Sequence, residues 1–267
     1  MRTSMRDGCL VDYLCRDAVA TITLRREHKL NAFNAELVRD LAAALRRFDE
    51  DANAQVAVLS GAGRAFSTGA DVRERQARTV EEFERLGGPQ EPDAHSYQLF
   101  NRSVNWKPVI SAVHGHVLGL GLGIAFETDL LVAERGTQFQ ITETPRGLGG
   151  ARYWGLLRFC GATAFGTEVA LTGRYFTAEE AHAQGLVTRL AEVGEAQAVA
   201  LQLASEIAQN PPLSVRATVR ARRWFIESLC REIAAQTDPM KLYLTSDFRE
   251  AVNAFLERRP VAPFSGR

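Results

Sequence analysis

The chain has no surplus of either charge. Lys plus Arg and Asp plus Glu each number 32 in 267 residues, so the formal net charge is zero. The basic excess that would hold nucleic acid or an anionic membrane surface is therefore missing. No uninterrupted apolar run is long enough to span a bilayer, and the opening MRTSMRDGCLVDYLCRDA is too polar for a secretory signal. Cysteine is scarce. Cys9, Cys15, Cys160 and Cys230 form no CxxC pair and no metal-ligand spacing, so reduced thiols and a cytoplasmic location are the expectation. The five histidines, at 28, 95, 114, 116 and 182, make no zinc pattern either, and no metal is expected. The dinucleotide fingerprint GxGxxG fails because Gly119 and Gly121 are followed by Ile124 where a third glycine belongs. The phosphate loop GxxxxGK[ST] is missing too, which disfavours nucleotide-dependent redox and kinase chemistry.

What is present is an ordinary globular balance, 46% hydrophobic and 24% charged. Its length suits one large domain, or a core with an appended helical part. Residues 9–24 read as two short strands, and Asn34 caps an amphipathic helix running to about Asp51, with Val38, Leu41, Leu45 and Phe48 at helical spacing. The apolar run Val56-Ala57-Val58-Leu59 reads as a buried strand. It leads through Gly61 and Gly63 into Phe66-Ser67-Thr68-Gly69-Ala70-Asp71 and a charged helix start. After the break at Gly87-Gly88-Pro89-Gln90-Glu91-Pro92, taken as a surface loop, a helix is expected over about 94–105. Pro108 introduces a second strand, Val109–Val113, and a second glycine turn follows, His114 to Gly123. An apolar helix to about Thr128 and a strand from Leu130 come next. Strand, glycine turn and helix thus occur twice, which implies an α/β core. From about 162 onward the pattern reads as helical, with Gly185 ending one helix and Pro211-Pro212 separating two more.

Two glycine turns at strand-to-helix junctions suggest an anion hole, one backbone N–H from each converging on one oxygen. Glycines that merely permit tight turns would look the same. Ala65-Phe66-Ser67-Thr68-Gly69 nearly matches the nucleophile elbow, with Asp129 and His182 as conceivable partners. An alanine replaces the first glycine, however, and His182 lies inside a well-patterned helix, so a serine hydrolase is disfavoured. Glu143, after a short strand and before Pro145 and Gly147, is a candidate proton carrier if its pocket is apolar, and otherwise a solvated loop acid.

The chain resembles the crotonase superfamily, the enoyl-CoA hydratases and isomerases. The matching stretches are Arg26-Glu27-His28-Lys29-Leu30-Asn31-Ala32, Gly61 to Asp71, Lys107 to Gly115, Phe139 to Glu143, Leu171-Thr172-Gly173 with Ala178-Glu179-Glu180-Ala181, and Ala254 to Arg259. They run in family order from about 10 to 260. The resemblance implies a spiral of ββα units over residues 1–195. Residues 196–267 would be a helical region that trimerises, often two trimers to a hexamer. It implies an acyl-CoA thioester partner, with coenzyme A entering as part of the substrate and no separate cofactor. The thioester oxygen would accept hydrogen bonds from the N–H groups of Ala70 and Leu120, stabilising an enolate. Arg26 and Lys29 would lie near the CoA phosphates. Ala65, Phe66 and Thr68 would line the adenine and pantetheine path. Gly69, Asp71, Val72, Arg73 and Gly121, flanking the donors, would also bind the CoA substrate, and Arg258 is a further phosphate candidate.

Three departures shape the expected reaction. Leu120 replaces the glycine usual at the second donor, so its side chain must find room, and His114 replaces the usual asparagine. Most important, hydratases carry two glutamates that hold one water, and the first of these positions is Gly123 here. Only Glu143 remains, while Glu127, one helical turn beyond Gly123, is expected to be structural or inter-subunit. A single carboxylate fits an isomerase that moves a proton between C2 and C4 of an enoyl thioester. Hydration, decarboxylation and C–C bond chemistry are the alternatives, and outside these classes a non-catalytic homologue.

Overall fold

The computed structural model describes residues 8–267 apart from 91, 92, 95, 97, 98 and 105. Expectations for residues 1–7, for Glu91-Pro92 and for part of the 94–105 helix lie outside the described residues.

The strands are β1 (Val11–Arg16), β2 (Val19–Leu24), β3 (Val56–Gly61), β4 (Val109–Val113), β5 (His116–Leu118), β6 (Leu130–Glu134), β7 (Gln138–Gln140), β8 (Tyr175–Thr177) and β9 (Arg189–Ala191). The helices are α1 (Ala35–Glu50), α2 (Val72–Arg75), α3 (Val80–Leu86), α4 (Leu99–Ser103), α5 (Leu120–Glu127), α6 (Ala151–Phe159), α7 (Thr163–Thr172), α8 (Ala178–Ala183), α9 (Ala196–Ala208), α10 (Pro212–Thr237) and α11 (Ser246–Glu257). A six-stranded sheet runs β1-β2-β3-β4-β6-β9, and a three-stranded sheet runs β5-β7-β8. Beyond the antiparallel β1–β2 hairpin, the large sheet is parallel. Parallel strands are covered on both faces, which is why β3 and β4 read as unbroken apolar runs.

Each face has its own core. On one side α1 buries Leu37, Val38, Leu41, Ala44, Leu45 and Phe48, and the Asn34 side chain accepts the Leu37 N–H at 2.9 Å to cap it. On the other side Ala196, Ala200 and Ala204 of α9 press on Val58, Ile110, Ala112 and Val132. The first helix of the C-terminal region is therefore a layer of the sheet itself. Ile226 and Cys230 of α10 enter the main core as well.

Three features depart from the sequence reading. The region after 162 is not purely helical, since β8 and β9 are strands. They are three residues each, too short for a period-2 signal. The glycine turn after β4 contains a strand of its own, β5. The helix expected over 94–105 is α4, five residues long. No helix of the described residues is long and apolar enough to cross a membrane.

Candidate active site

The two glycine turns are stitched together edge to edge. Phe66 N–H donates to His114 O at 3.0 Å, Ser67 N–H to His116 O at 3.1 Å, and Leu118 N–H to Ser67 O at 3.0 Å. The His114 Nε2 adds a 2.9 Å bond to Gly63 O, so the residue standing where asparagine was expected joins the turns. The approach is closer than side chains would permit. A Cβ on Gly69 would stand 2.9 Å from Leu118 O and 3.5 Å from Leu120 N. One on Gly121 would meet Ser67 Cβ at 2.7 Å. Gly69 has φ +94° and Gly119 φ +46°, backbone that favours glycine.

This packing leaves two backbone donors free, one in each turn. Phe33 forms a parallel bridge at Ala70, donating to Gly69 O at 2.7 Å and accepting from Asp71 N at 2.9 Å, which turns the Ala70 N–H to the opposite side. Leu120 opens α5, where the first N–H groups have no intrahelical partner. Neither N–H has an acceptor among the described residues. The Leu120 side chain finds its room in the main core, 7% exposed.

Glu143 comes to the second turn from β7. Gly119 N–H donates to Gln140 O at 2.9 Å, fixing β7 against the second turn. A Cβ on Gly119 would lie 3.0 and 3.5 Å from the two Glu143 carboxylate oxygens, so the carboxylate rests against the residue before the second donor. Burial pushes the Glu143 carboxyl up to about 7; a hydrogen bond from Tyr153 and the nearby Arg146 guanidinium oppose that rise. An aromatic ladder beneath fixes the relative positions. Phe126 of α5 lies 5.8 Å from Phe139 of β7, which stacks at 5.3 Å on Phe176 of β8.

The space beside Gly123, where the resemblance led us to expect no glutamate, is filled by a ring. A Cβ on Gly123 would stand 2.5 Å from Tyr153 Cε1. Tyr153, on α6, is 4% exposed. Glu127, expected to be structural or inter-subunit, is buried in an ion pair with Arg152. Sequence reasoning missed Tyr153 because it left α6 unassigned. Gly155 interrupts the helix-forming pattern there, and its reason lies in α10: a Cβ on Gly155 would stand 2.3 Å from Ile233 Cδ1. Arg146 was missed as well. Its half-buried guanidinium sits 4.2 Å over the Phe255 ring and 3.4 Å from Gln76 Oε1.

The remaining site residues divide. Lys29 and Arg73 are exposed, as is Arg258 at the left-handed cap of α11. Thr68 is half-buried, with its N–H on Leu30 O. Arg26 departs from its expected place beside a phosphate. It is 6% exposed and donates to Ala32 O at 3.0 Å, Asp71 Oδ2 at 2.8 Å and Glu74 Oε1 at 2.9 Å. Its guanidinium braces the first turn, and Asp71 is committed both to Arg26 and to the α2 N-cap. Ala65 and Phe66, expected along the adenine and pantetheine path, are fully buried, backbone as well as side chain. Ser67 is equally buried, donates to Asn31 O at 2.8 Å and accepts from Gly69 N–H, a bystander to any nucleophilic chemistry.

A small apolar cluster of Val72, Phe83, Phe248 and Val252, with Leu148 and Tyr243 against it, joins α2 to α11 beside the Glu143 loop. A cleft of about 290 Å³ opens there, lined in part by Gln76, Val80, Phe83, Tyr243 and Asn253.

A family profile described as enoyl-CoA hydratase/isomerase matches residues 15–267. The chain is 32% identical to a putative enoyl-CoA hydratase of Thermus thermophilus, over 91% of this chain and 96% of that one. It is 31% identical to the 1,2-epoxyphenylacetyl-CoA isomerase of Escherichia coli, over 90% and 93%. It superposes on the crystal structure of an enoyl-CoA hydratase from Mycobacterium tuberculosis with a TM-score of 0.68 at 35% identity, covering 97% and 100% of the two chains.

Proposed function

The chain belongs to the enoyl-CoA hydratase/isomerase family, and from that premise we propose that it is an acyl-CoA isomerase in which one carboxylate carries the proton. The thioester oxygen accepts the Ala70 and Leu120 N–H groups. The Glu143 carboxylate removes a proton from C2 of a 3-enoyl thioester, leaving a dienolate whose negative charge rests on that oxygen. The protonated Glu143 then returns the proton at C4, and the double bond moves into conjugation. Each backbone donor contributes on the order of a hundred- to a thousand-fold in rate. A carboxyl poised near 7 suits both halves of the cycle, since it must take and give the same proton.

The observation that carries the reading is the occupied space at Gly123. With the Tyr153 ring 2.5 Å from any Cβ there, position 123 has no room for a second carboxylate to hold a water beside Glu143. The test is incubation with 3-enoyl-CoA while following the absorbance of the conjugated 2-enoyl thioester. Absorbance should rise with the wild-type chain, and Glu143→Ala should lower the rate by roughly a hundredfold or more. No signal, or an equal rate in the variant, overturns the proposal. Hydration of 2-enoyl-CoA is the second reading, favoured by relatives bearing hydratase names. Loss of the 2-enoyl absorbance at a rate matching its isomerisation would favour it.

A further inference from the structure

Gly119 and Gly123 lie one helical turn apart, joined by the Gly123 N–H to Gly119 O bond of 2.9 Å. The space beside each is taken by a different side chain. The Glu143 carboxylate oxygens stand 3.0 and 3.5 Å from where a Gly119 Cβ would be. The Tyr153 ring stands 2.5 Å from where a Gly123 Cβ would be, and the Tyr153 side chain hydrogen-bonds the Glu143 carboxyl. Carboxylate and phenol are therefore neighbours at the start of α5, one beside its N-cap and the other beside its first turn. The phenol stands where a hydratase would put its other glutamate.

We propose that Tyr153 is the positioning residue for Glu143: its hydroxyl donates to the carboxylate, holds it beside the second oxyanion donor and favours its charged, proton-accepting form. A phenol and a carboxylate in this place do different things. A second carboxylate would share a water and repel Glu143 electrostatically. A phenol donates its one proton to Glu143 and brings no charge. The hydroxyl acts through Glu143 and takes no part in bond making. Its effect is to pull the base back toward neutrality from the high value that burial alone would give. The charged and titratable groups that face the Glu143 carboxyl are Tyr153 from α6 and Arg146 from its own loop. Arg152, the neighbour of Tyr153, is paired with Glu127.

The inference rests on Glu143 as the base, and its test separates the two. Tyr153→Phe keeps the ring that fills the space at Gly123 and removes only the hydroxyl. The Glu143 carboxyl can be titrated without substrate, by infrared or carbon NMR of protein labelled at glutamate, with Glu143→Gln assigning the signal. Tyr153→Phe should move that titration upward by about one pH unit, the size of one charge-assisted hydrogen bond. The rate on 3-enoyl-CoA near pH 7 should fall about fivefold with KM nearly unchanged, and most of it should return near pH 9 as the carboxylate re-forms. In a Glu143→Gln background, Tyr153→Phe should cost little more. A titration that stays in place when the hydroxyl is removed overturns the proposal, because a ring that only fills space would leave it there. Failure of the isomerase reading would instead appear as absent turnover with the titration shift intact. Should Tyr153→Phe melt early, Tyr153→His, which restores a donor, must bring the titration back toward the wild-type value; a titration that stays high in that variant also overturns it.

Discussion

The two glycine turns proposed to supply the oxyanion donors share one strand-to-helix plan and are held by different contacts. The first turn, Ser67 to Asp71, leads into α2, only four residues long, and is braced by polar contacts. Arg26 clamps Asp71, while the Asn31 side chain donates to Ala62 O at 2.8 Å and Ala65 O at 2.9 Å. The second turn leads into α5, whose eight residues are all buried, and beyond its backbone bond to Gln140 O it is held by apolar packing and the aromatic ladder. A polar brace is directional and suffers when one partner is lost; an apolar one is diffuse and degrades by degrees. Two donors that must share one oxygen are thus held in place by unlike means.

That contrast predicts unequal damage. The largest effect should come from Gly119→Ala. Its Cβ would meet Thr142 Oγ1 at 2.3 Å and crowd the Glu143 carboxylate, at a φ of +46°. Turnover should fall roughly a thousandfold or more, because donor and base move together. Gly69→Ala, at a φ of +94°, brings its Cβ to 2.9 Å from Leu118 O and 3.5 Å from Leu120 N but leaves Glu143 untouched, and should cost nearer a hundredfold. Equal losses in the two, measured as kcat, would mean that Glu143 is not tied to the second turn.

Arg26→Ala comes next. It leaves Asp71, with only 13% of its side chain exposed, without its cation. A loss of about 3 kcal/mol is expected, discounted for the half-exposed Glu74. The melting temperature should drop by roughly 2–4 °C per kcal/mol, and kcat should fall with it because the Ala70 donor loosens. Leu120→Ala tests the other half. It should cost about 2–5 kcal/mol in chemical denaturation yet keep kcat within about tenfold, since the donor is backbone. A kcat loss larger than that of Arg26→Ala would reverse the comparison. The smallest effect belongs to Lys29→Gln. An exposed cation should change KM for the acyl-CoA about two- to fivefold, and less in high salt.

The backbone of this site was legible in the sequence, and its side-chain commitments were not. Gly69 and Gly119 each follow an apolar strand and precede a helix, a local pattern that sequence carries. Glu143 was legible because a carboxylate after a strand and before Pro145 stands out. Arg26 misled because a basic residue in the right stretch says nothing of Asp71, 45 positions away. Tyr153 was invisible for the same kind of reason. Its meaning depends on Gly123, 30 residues earlier, and on a helix whose own pattern Gly155 conceals.

The filled space at Gly123 also constrains how such a chain can change over generations. A glutamate arriving there by a single substitution would collide with the phenol ring before it could hold water. The residue at 153 must shrink first, and that intermediate would have neither phenol nor second carboxylate beside Glu143. A second carboxylate at 123 is thus reachable only together with a change at 153.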